Sequence, residues 1–177
     1  MVGFLYLITL GIVDTNNYFY MGLFSFLKQN RIVTREELAN VVFDSVKCVN
    51  IEECHHVSQL EKRILLTWLY YRELTLRDSA LNPSGLSGVA LELIKLLASD
   101  VKLELINMKG TSLEDINESL LETFSLAKIH FDRGDIDSVL KVLLNKDDMD
   151  MLKCMTLFKL EVEEKVKSHL IDITING

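Results

Sequence analysis

The chain has 177 residues, of which 49% are hydrophobic and 25% charged, and its 26 acidic against 19 basic residues give a formal net charge of -7. This composition excludes a disordered chain and allows one hydrophobic core. An acidic chain without a basic stripe is not expected to bind nucleic acid or an anionic membrane surface. The three cysteines, Cys48, Cys54 and Cys154, are too few for a disulfide framework. They favour a reducing compartment, so we expect a soluble, cytoplasmic protein.

The first twenty residues form an apolar extension. Residues 1–13 read MVGFLYLITLGIV, which is shorter than the roughly 20 apolar residues that span a bilayer. No basic residue precedes Lys28 and no small-residue cleavage site follows, so a signal peptide is not predicted. Met21 opens a stretch typical of a cytosolic start. We therefore expect residues 21–177 to form a single helical domain and residues 1–20 to be absent from the mature protein; a buried element or a membrane segment is the alternative.

Two capping boxes mark the first helix starts. Thr34 with Glu37 and Ser58 with Glu61 have the spacing at which side chain and backbone bond reciprocally. The second box opens Ile64–Leu76, a segment that is apolar almost all round. A helix of this kind is expected at the centre of the fold, with neighbours on several sides.

Four further helices are predicted from apolar residues at spacings of three and four. After a turn at residues 82–85, the first of them starts near Leu86 and stops at Lys109–Gly110. The second starts after Ser112 and breaks at Gly134. The third is capped by Asp135, and the last by Asp147 or Asp148. The predicted fold is therefore mainly α, an irregular bundle of about six helices.

Two segments alternate between apolar and polar residues, as strands do. Val101–Met108 alternates partly and Ile171–Ile175 strictly. We rank helix first for Val101–Leu105, because the apolar stripe that starts at Leu86 passes through it in register. The C-terminal run is predicted to be a short strand, paired with Val101–Met108 or with Phe4–Leu10.

The densest group of reactive side chains lies between residues 48 and 56. It comprises Cys48, Glu52, Glu53, Cys54, His55 and His56. All three ligand types bind zinc, and Glu-x-x-His occurs twice, as in di-iron bundles. However, zinc sites favour two separated ligand pairs, and di-iron sites need a second Glu-x-x-His from another helix. We therefore predict a polar loop with no metal or cofactor. Metal binding by Cys48, Cys54, His55 and His56 stays open as the alternative.

Other candidate residues favour structural roles. His130 and His169 form no catalytic arrangement that sequence spacing can support. Trp68–Tyr71 could line a ligand pocket, but an aromatic run in the most apolar helix is typical of a core. Gly85 and Gly88, at a helix start, could hold an anion on exposed amides. The lysine of a phosphate loop is missing, which favours close helix packing or a simple cap.

Residues 126–141, LAKIHFDRGDIDSVLK, have an A-x3-F helix end followed by Gly134 and Asp135. This stretch resembles the hairpin of a tetratricopeptide repeat. Such solenoids need about three repeats, and the sequence has no second copy one period away. The resemblance therefore implies a helical hairpin at Gly134 and no family membership.

With no catalytic motif, we expect a non-enzymatic helical adaptor or assembly subunit that binds a protein partner or itself. The apolar helix Ile64–Leu76 and the methionine-rich stretch Met149–Met155 offer apolar surface, and methionine suits adaptable interfaces. The alternative is a helical metal- or small-ligand-binding protein that uses the Cys48–His56 segment or a pocket in the bundle core. An enzyme of unrecognised type ranks third.

Overall fold

The structure, a computed structural model, describes residues 31–81, 85–104, 111–146, 149–169 and 173–176. Its elements are β1 (Arg31–Thr34), α1 (Arg35–Cys48), a 3-10 turn (Glu52–Cys54), α2 (Gln59–Leu81), α3 (Leu86–Glu104), α4 (Leu113–Asp132), α5 (Ile136–Leu144), α6 (Met149–His169) and β2 (Ile173–Asn176). The predicted helical bundle with a short C-terminal strand is confirmed. No helix in the described part has both the length and the hydropathy of a membrane span. The apolar extension of residues 1–20, the stop at Gly110 and the caps at Asp147 and Asp148 lie outside the described residues.

Local sequence sets the helix starts as predicted. The Thr34 hydroxyl accepts a hydrogen bond from the Glu37 amide at 3.1 Å, and the Glu37 carboxylate accepts one from the Thr34 amide at 3.0 Å. The same reciprocal box stands at Ser58 and at Ser112. Each cap satisfies amides that the first helical turn leaves without partners, which stabilises the helix by about 1 kcal/mol.

Helix α2 is the centre of the bundle and packs against α1, α3, α5 and α6. Its fully buried apolar side chains are Leu65, Leu66, Trp68, Leu69, Tyr70 and Leu74. The prediction that Trp68–Tyr71 belongs to the core is confirmed for its first three residues, and Tyr71 is partly buried. These side chains contact neighbouring helices, and the large apolar side chain of Ile64–Leu76 that stays exposed is Leu76, at 37%.

The turn between α4 and α5 forms the helical hairpin that the tetratricopeptide-like stretch implies. Gly134 adopts a φ of 77°, a left-handed conformation that glycine reaches without a Cβ clash. Asp135 then caps α5 by accepting a hydrogen bond from the Ser138 amide at 3.3 Å. His130 Nδ1 lies 3.2 Å from the Asp135 carboxylate, which ties the end of α4 to the start of α5.

Strands β1 and β2 pair in parallel, with Val33 opposite Ile175. The predicted C-terminal strand is confirmed, but its partner is Arg31–Thr34 and neither of the two expected segments. Val101–Glu104 belongs to α3, as the helical stripe predicted, and Phe4–Leu10 lies outside the described residues. The alternation of apolar and polar residues predicts which face of a strand is apolar. It does not predict the pairing strand, which depends on how the helices between the two strands pack.

Candidate functional site

Two buried thiols and an imidazole meet where the 3-10 turn packs against α6. Cys54 in the turn and Cys154 in α6 are both fully buried. Cys154 Sγ lies 3.7 Å from His56 Nε2 and 4.0 Å from the Glu53 carbonyl oxygen. Cys154 Sγ thus contacts the residues on either side of Cys54, which makes the two cysteines neighbours. We call Cys54, His56 and Cys154 the thiol cluster.

The electrostatics of the thiol cluster do not suit nucleophilic catalysis. Burial, the contact with Cys54 and the negative charge of Asp150 raise the pKa of the Cys154 thiol to about 12. This thiol is therefore protonated at neutral pH, whereas the thiolate is the nucleophile in cysteine enzymes. Cys154, His56 and Asp150 have the residue types of a nucleophile, base and acid, but the first of them is not activated.

The remaining reactive residues of the segment from Cys48 to His56 do not join the cluster. Cys48, Glu52 and His55 are exposed, and His55 Nδ1 lies 3.0 Å from the Glu52 carbonyl oxygen. Within the described residues, no three His, Cys, Asp or Glu side chains are grouped as a metal ion requires. The segment thus has the form of a polar loop between α1 and α2.

Cys154 is the member of the cluster that the sequence did not reveal. It lies 98 residues after His56, inside an apolar helical stripe where a thiol is expected to act as a small hydrophobe. That expectation is right about its burial. Only the packing of α6 on the 3-10 turn brings it to Cys54.

A groove of about 410 Å³ lies between the start of α5 and the outer face of α6. We call it the α5–α6 groove. Ile136, Met149 and Leu152 supply its apolar surface, and Asp135, Asp137 and Lys153 supply its charges. It therefore offers an apolar floor beside carboxylates, on a part of the surface that two helices hold in place.

The exposed methionine of this groove is Met149. Its side chain is 70% exposed, and Leu160, at 58%, continues the same face of α6. Met151 and Met155 lie in the core instead. Of the three methionines expected to form an apolar surface, Met149 alone is exposed, because Met151 and Met155 lie on the face of the helix that is turned to the core.

The charge of the α5–α6 groove is mainly negative. Asp135 and Asp137 are exposed, and hydrogen bonds from Ser138 lower the pKa of Asp135, which keeps it ionised. The cation of the groove, Lys153, lies 3.0 Å from the Asp150 carboxylate. This pairing leaves Asp135 and Asp137, at the start of α5, with the larger effect on an incoming charged group.

A second cavity, of about 330 Å³, lies between α1, α3 and α4. Arg35, Gly88 and Asn117 line it together with the apolar side chains of Leu91, Ile94 and Leu121. Arg35 Nε and Asn117 Oδ1 are buried without a hydrogen-bond partner in the described part of the chain. Buried polar atoms of this kind call for an explanation, since most are satisfied.

Gly88 makes room for the arginine. A Cβ at this position would lie 2.6 Å from Arg35 Cδ and 2.8 Å from Arg35 Nε. The Gly85-x-x-Gly88 pattern therefore serves close packing, as favoured from the sequence, and the Ser87 amide is capped by the Asp78 carboxylate at 3.3 Å. The sequence around Gly85 and Gly88 has no lysine of a phosphate loop, but α1 brings the positive charge of Arg35 to the start of α3.

The other two histidines have no catalytic setting among the described residues. His130 pairs with Asp135 in the hairpin turn. His169 ends α6, and its side chain lies outside the described residues.

Comparison with known proteins finds no matching family model, no similar curated protein and no similar solved structure.

Proposed function

We propose that the protein is a non-enzymatic interaction subunit that binds a basic, amphipathic helical segment of a protein partner in the α5–α6 groove. The observation that carries this proposal is Met149, a large apolar side chain left 70% exposed over an apolar groove. Methionine is flexible and polarizable, and it recurs at surfaces that adapt to partners. An amphipathic helix laid in a groove is a common way of binding such a surface.

The size of the surface suits a short helix. Leu160 lies about three turns beyond Met149 along α6, a distance of about 16 Å along the axis. Burying these two side chains would contribute about 1.5–3 kcal/mol each if burial were complete. Two such anchors with flanking contacts are consistent with a specific but reversible complex.

The charges of the groove support a basic partner. Asp135 and Asp137 border the apolar floor, and the whole chain carries a formal net charge of -7. Opposite charge on the partner would speed encounter and fix its orientation more than it would raise affinity. A partner segment with lysine or arginine beside its apolar anchors therefore fits best.

Site-specific photo-crosslinking tests this function. A benzophenone side chain would replace Met149 in one variant and Leu103 in a matched control, since Leu103 is 82% exposed on α3. We expect a partner from the native source to crosslink at position 149 and not at 103. Its crosslinked peptide should be basic and amphipathic. Equal crosslinking at both positions, or an acidic crosslinked peptide, would contradict the proposal.

Small-ligand binding is the second candidate, and the arginine cavity is the observation that favours it. A carboxylate could satisfy Arg35 and an N–H group could satisfy Asn117, with the apolar walls around the rest of the ligand. Glu36 and the paired Lys95 and Glu92, whose charged atoms lie 2.6 Å apart, also line this cavity. Together with Arg35, these three side chains bring the net charge of the cavity close to zero. A ligand with one carboxylate, such as a small N-acyl amino acid, is therefore favoured over a polyanion.

Titration with N-acetyl-leucine, followed by the NMR shifts of nearby amides, tests the second candidate. We expect saturable binding that Arg35→Gln weakens at least tenfold, an effect typical of losing one charged contact. Lys102→Gln, at an exposed position of α3 outside the cavity, is the matched control and should leave binding unchanged. Shifts that do not saturate, or that survive Arg35→Gln, would remove this candidate.

A further inference from the structure

The two thiols of the cluster are neighbours that α6 and the 3-10 turn hold together. Cys154 Sγ contacts the chain on both sides of Cys54, at 4.0 Å from the Glu53 carbonyl oxygen and at 3.7 Å from His56 Nε2. Burial and, next to it, the neighbouring Cys54 thiol raise the pKa of Cys154. Cysteines on two segments packed together in this way can form a disulfide when their Cα atoms lie within about 7 Å.

Access to the pair depends on a small surface element. Cys54 and Cys154 are fully buried, but His56, which contacts Cys154, is exposed. The 3-10 turn, Glu52–Cys54, is a short element between α1 and α2. Local opening of such an element costs less free energy than global unfolding, so an oxidant can reach the thiols in the folded protein.

We propose that Cys54 and Cys154 form an oxidant-sensitive pair that closes to an intramolecular disulfide in the presence of a peroxide. When the turn opens, water reaches the thiols and one of them can ionise. Its thiolate attacks the peroxide oxygen and becomes a sulfenic acid, and the hydroxide that leaves takes up the thiol's proton as the first water. The second thiol attacks that sulfur and displaces the second water. Two thiols and hydrogen peroxide thus give one disulfide and two waters, and the two electrons pass from the sulfurs to the peroxide.

The disulfide would join the turn before α2 to the first half of α6. It would close the chain from residue 54 to residue 154 into a loop, and a long loop restricts the unfolded chain strongly. Oxidation should therefore stabilise the folded protein, and reduction with dithiothreitol should reverse the gain. The exposed Cys48 is not part of this pair.

The test uses the full chain with Cys48→Ser, so that Cys54 and Cys154 are its only thiols. After treatment with hydrogen peroxide, the thiol count in denaturant should fall from two to zero. The monomer should lose about 2 Da, the mass of two hydrogens, as a disulfide requires. A peptide linking residues 54 and 154 should appear, and the midpoint of urea unfolding should rise until dithiothreitol is added.

Matched variants guard against a folding defect. Cys154→Ala in the same background keeps a small apolar side chain in the core, and its remaining thiol should not form the monomeric disulfide. Addition of oxygen to either sulfur without linkage would overturn the proposal. Two intact thiols at a peroxide concentration that oxidises Cys48 in the wild-type protein would also overturn it, as would a disulfide found only in dimers.

Discussion

The Trp68 indole donates a hydrogen bond to the Phe124 carbonyl oxygen over 3.2 Å, and both side chains are fully buried. The two residues are 56 positions apart, so the bond joins the central helix α2 to α4. The Trp68 ring also meets Phe131 edge-on, with centroids 5.6 Å apart. Trp68 thus ties α4, which opens the hairpin beside the α5–α6 groove, to the central helix, in addition to the packing of α4 on α3.

Replacing this tryptophan tests the attachment of α4. Trp68→Phe keeps an aromatic ring but removes the donor and part of the buried volume. We expect a loss of about 1–3 kcal/mol in the free energy of unfolding, from urea titration. Ile129→Ala, at an exposed position of α4, is the control and should change stability by less than about 0.5 kcal/mol. Equal stability of Trp68→Phe and the wild type would show that the bond contributes nothing.

The capping box at Ser112 gives a second prediction. Its hydroxyl accepts a hydrogen bond from the Asp115 amide at 3.0 Å. Ser112→Ala should therefore cost about 1 kcal/mol of stability, measured by thermal or urea unfolding. Ser119→Ala, an exposed serine inside the same helix, should be neutral or slightly stabilising, because alanine favours helix. Equal losses in both variants would rule out the cap as the cause.

The pair of Glu61 and Lys146 should make stability depend on pH. Their charged atoms lie 2.5 Å apart. Burial alone would raise the pKa of Glu61, but hydrogen bonds from Lys146 and Ser58 outweigh it and hold the pKa below 4.5. As pH falls, the unfolded chain therefore takes up this proton before the folded protein does. The stabilisation is present above about pH 4.5 and is lost on further acidification.

Glu61→Gln tests this pH dependence. The variant should be less stable than the wild type at pH 7, and the difference should shrink as pH falls below about 4.5. Urea unfolding at a series of pH values measures it. In the double variant with Lys146→Gln, the two losses should not add, because both remove the same interaction. A difference that stays constant from pH 7 to pH 3 would contradict the argument.

Features encoded by neighbouring residues could be predicted from the sequence. The boxes at Thr34, Ser58 and Ser112 and the turn at Gly134 depend on groups within a few positions of each other. The burial of Trp68 followed from the apolar surroundings of one helix. Such signals locate the elements and their inner faces, which is most of a helical fold.

Contacts between distant segments could not be predicted. Cys54 lies in a polar loop and Cys154 in an apolar helical stripe. Neither sequence pattern predicts that the two cysteines are neighbours. Arg35 reaches Gly88 only because α1 packs on α3. Met149 and Met151 differ in exposure because one helix has two faces, and only packing decides which face is covered. The candidate sites therefore come from the tertiary structure.

The most direct test of the interaction function is a titration of the crosslinked partner segment, as a labelled peptide, against three proteins. Fluorescence anisotropy would give the Kd for the wild type, for Met149→Glu in the α5–α6 groove and for Leu103→Glu on α3. We expect Met149→Glu to weaken binding at least tenfold, because it places a charge on the apolar floor. Leu103→Glu should leave the Kd unchanged. Equal affinity of all three proteins, or equal weakening by both substitutions, would contradict the account.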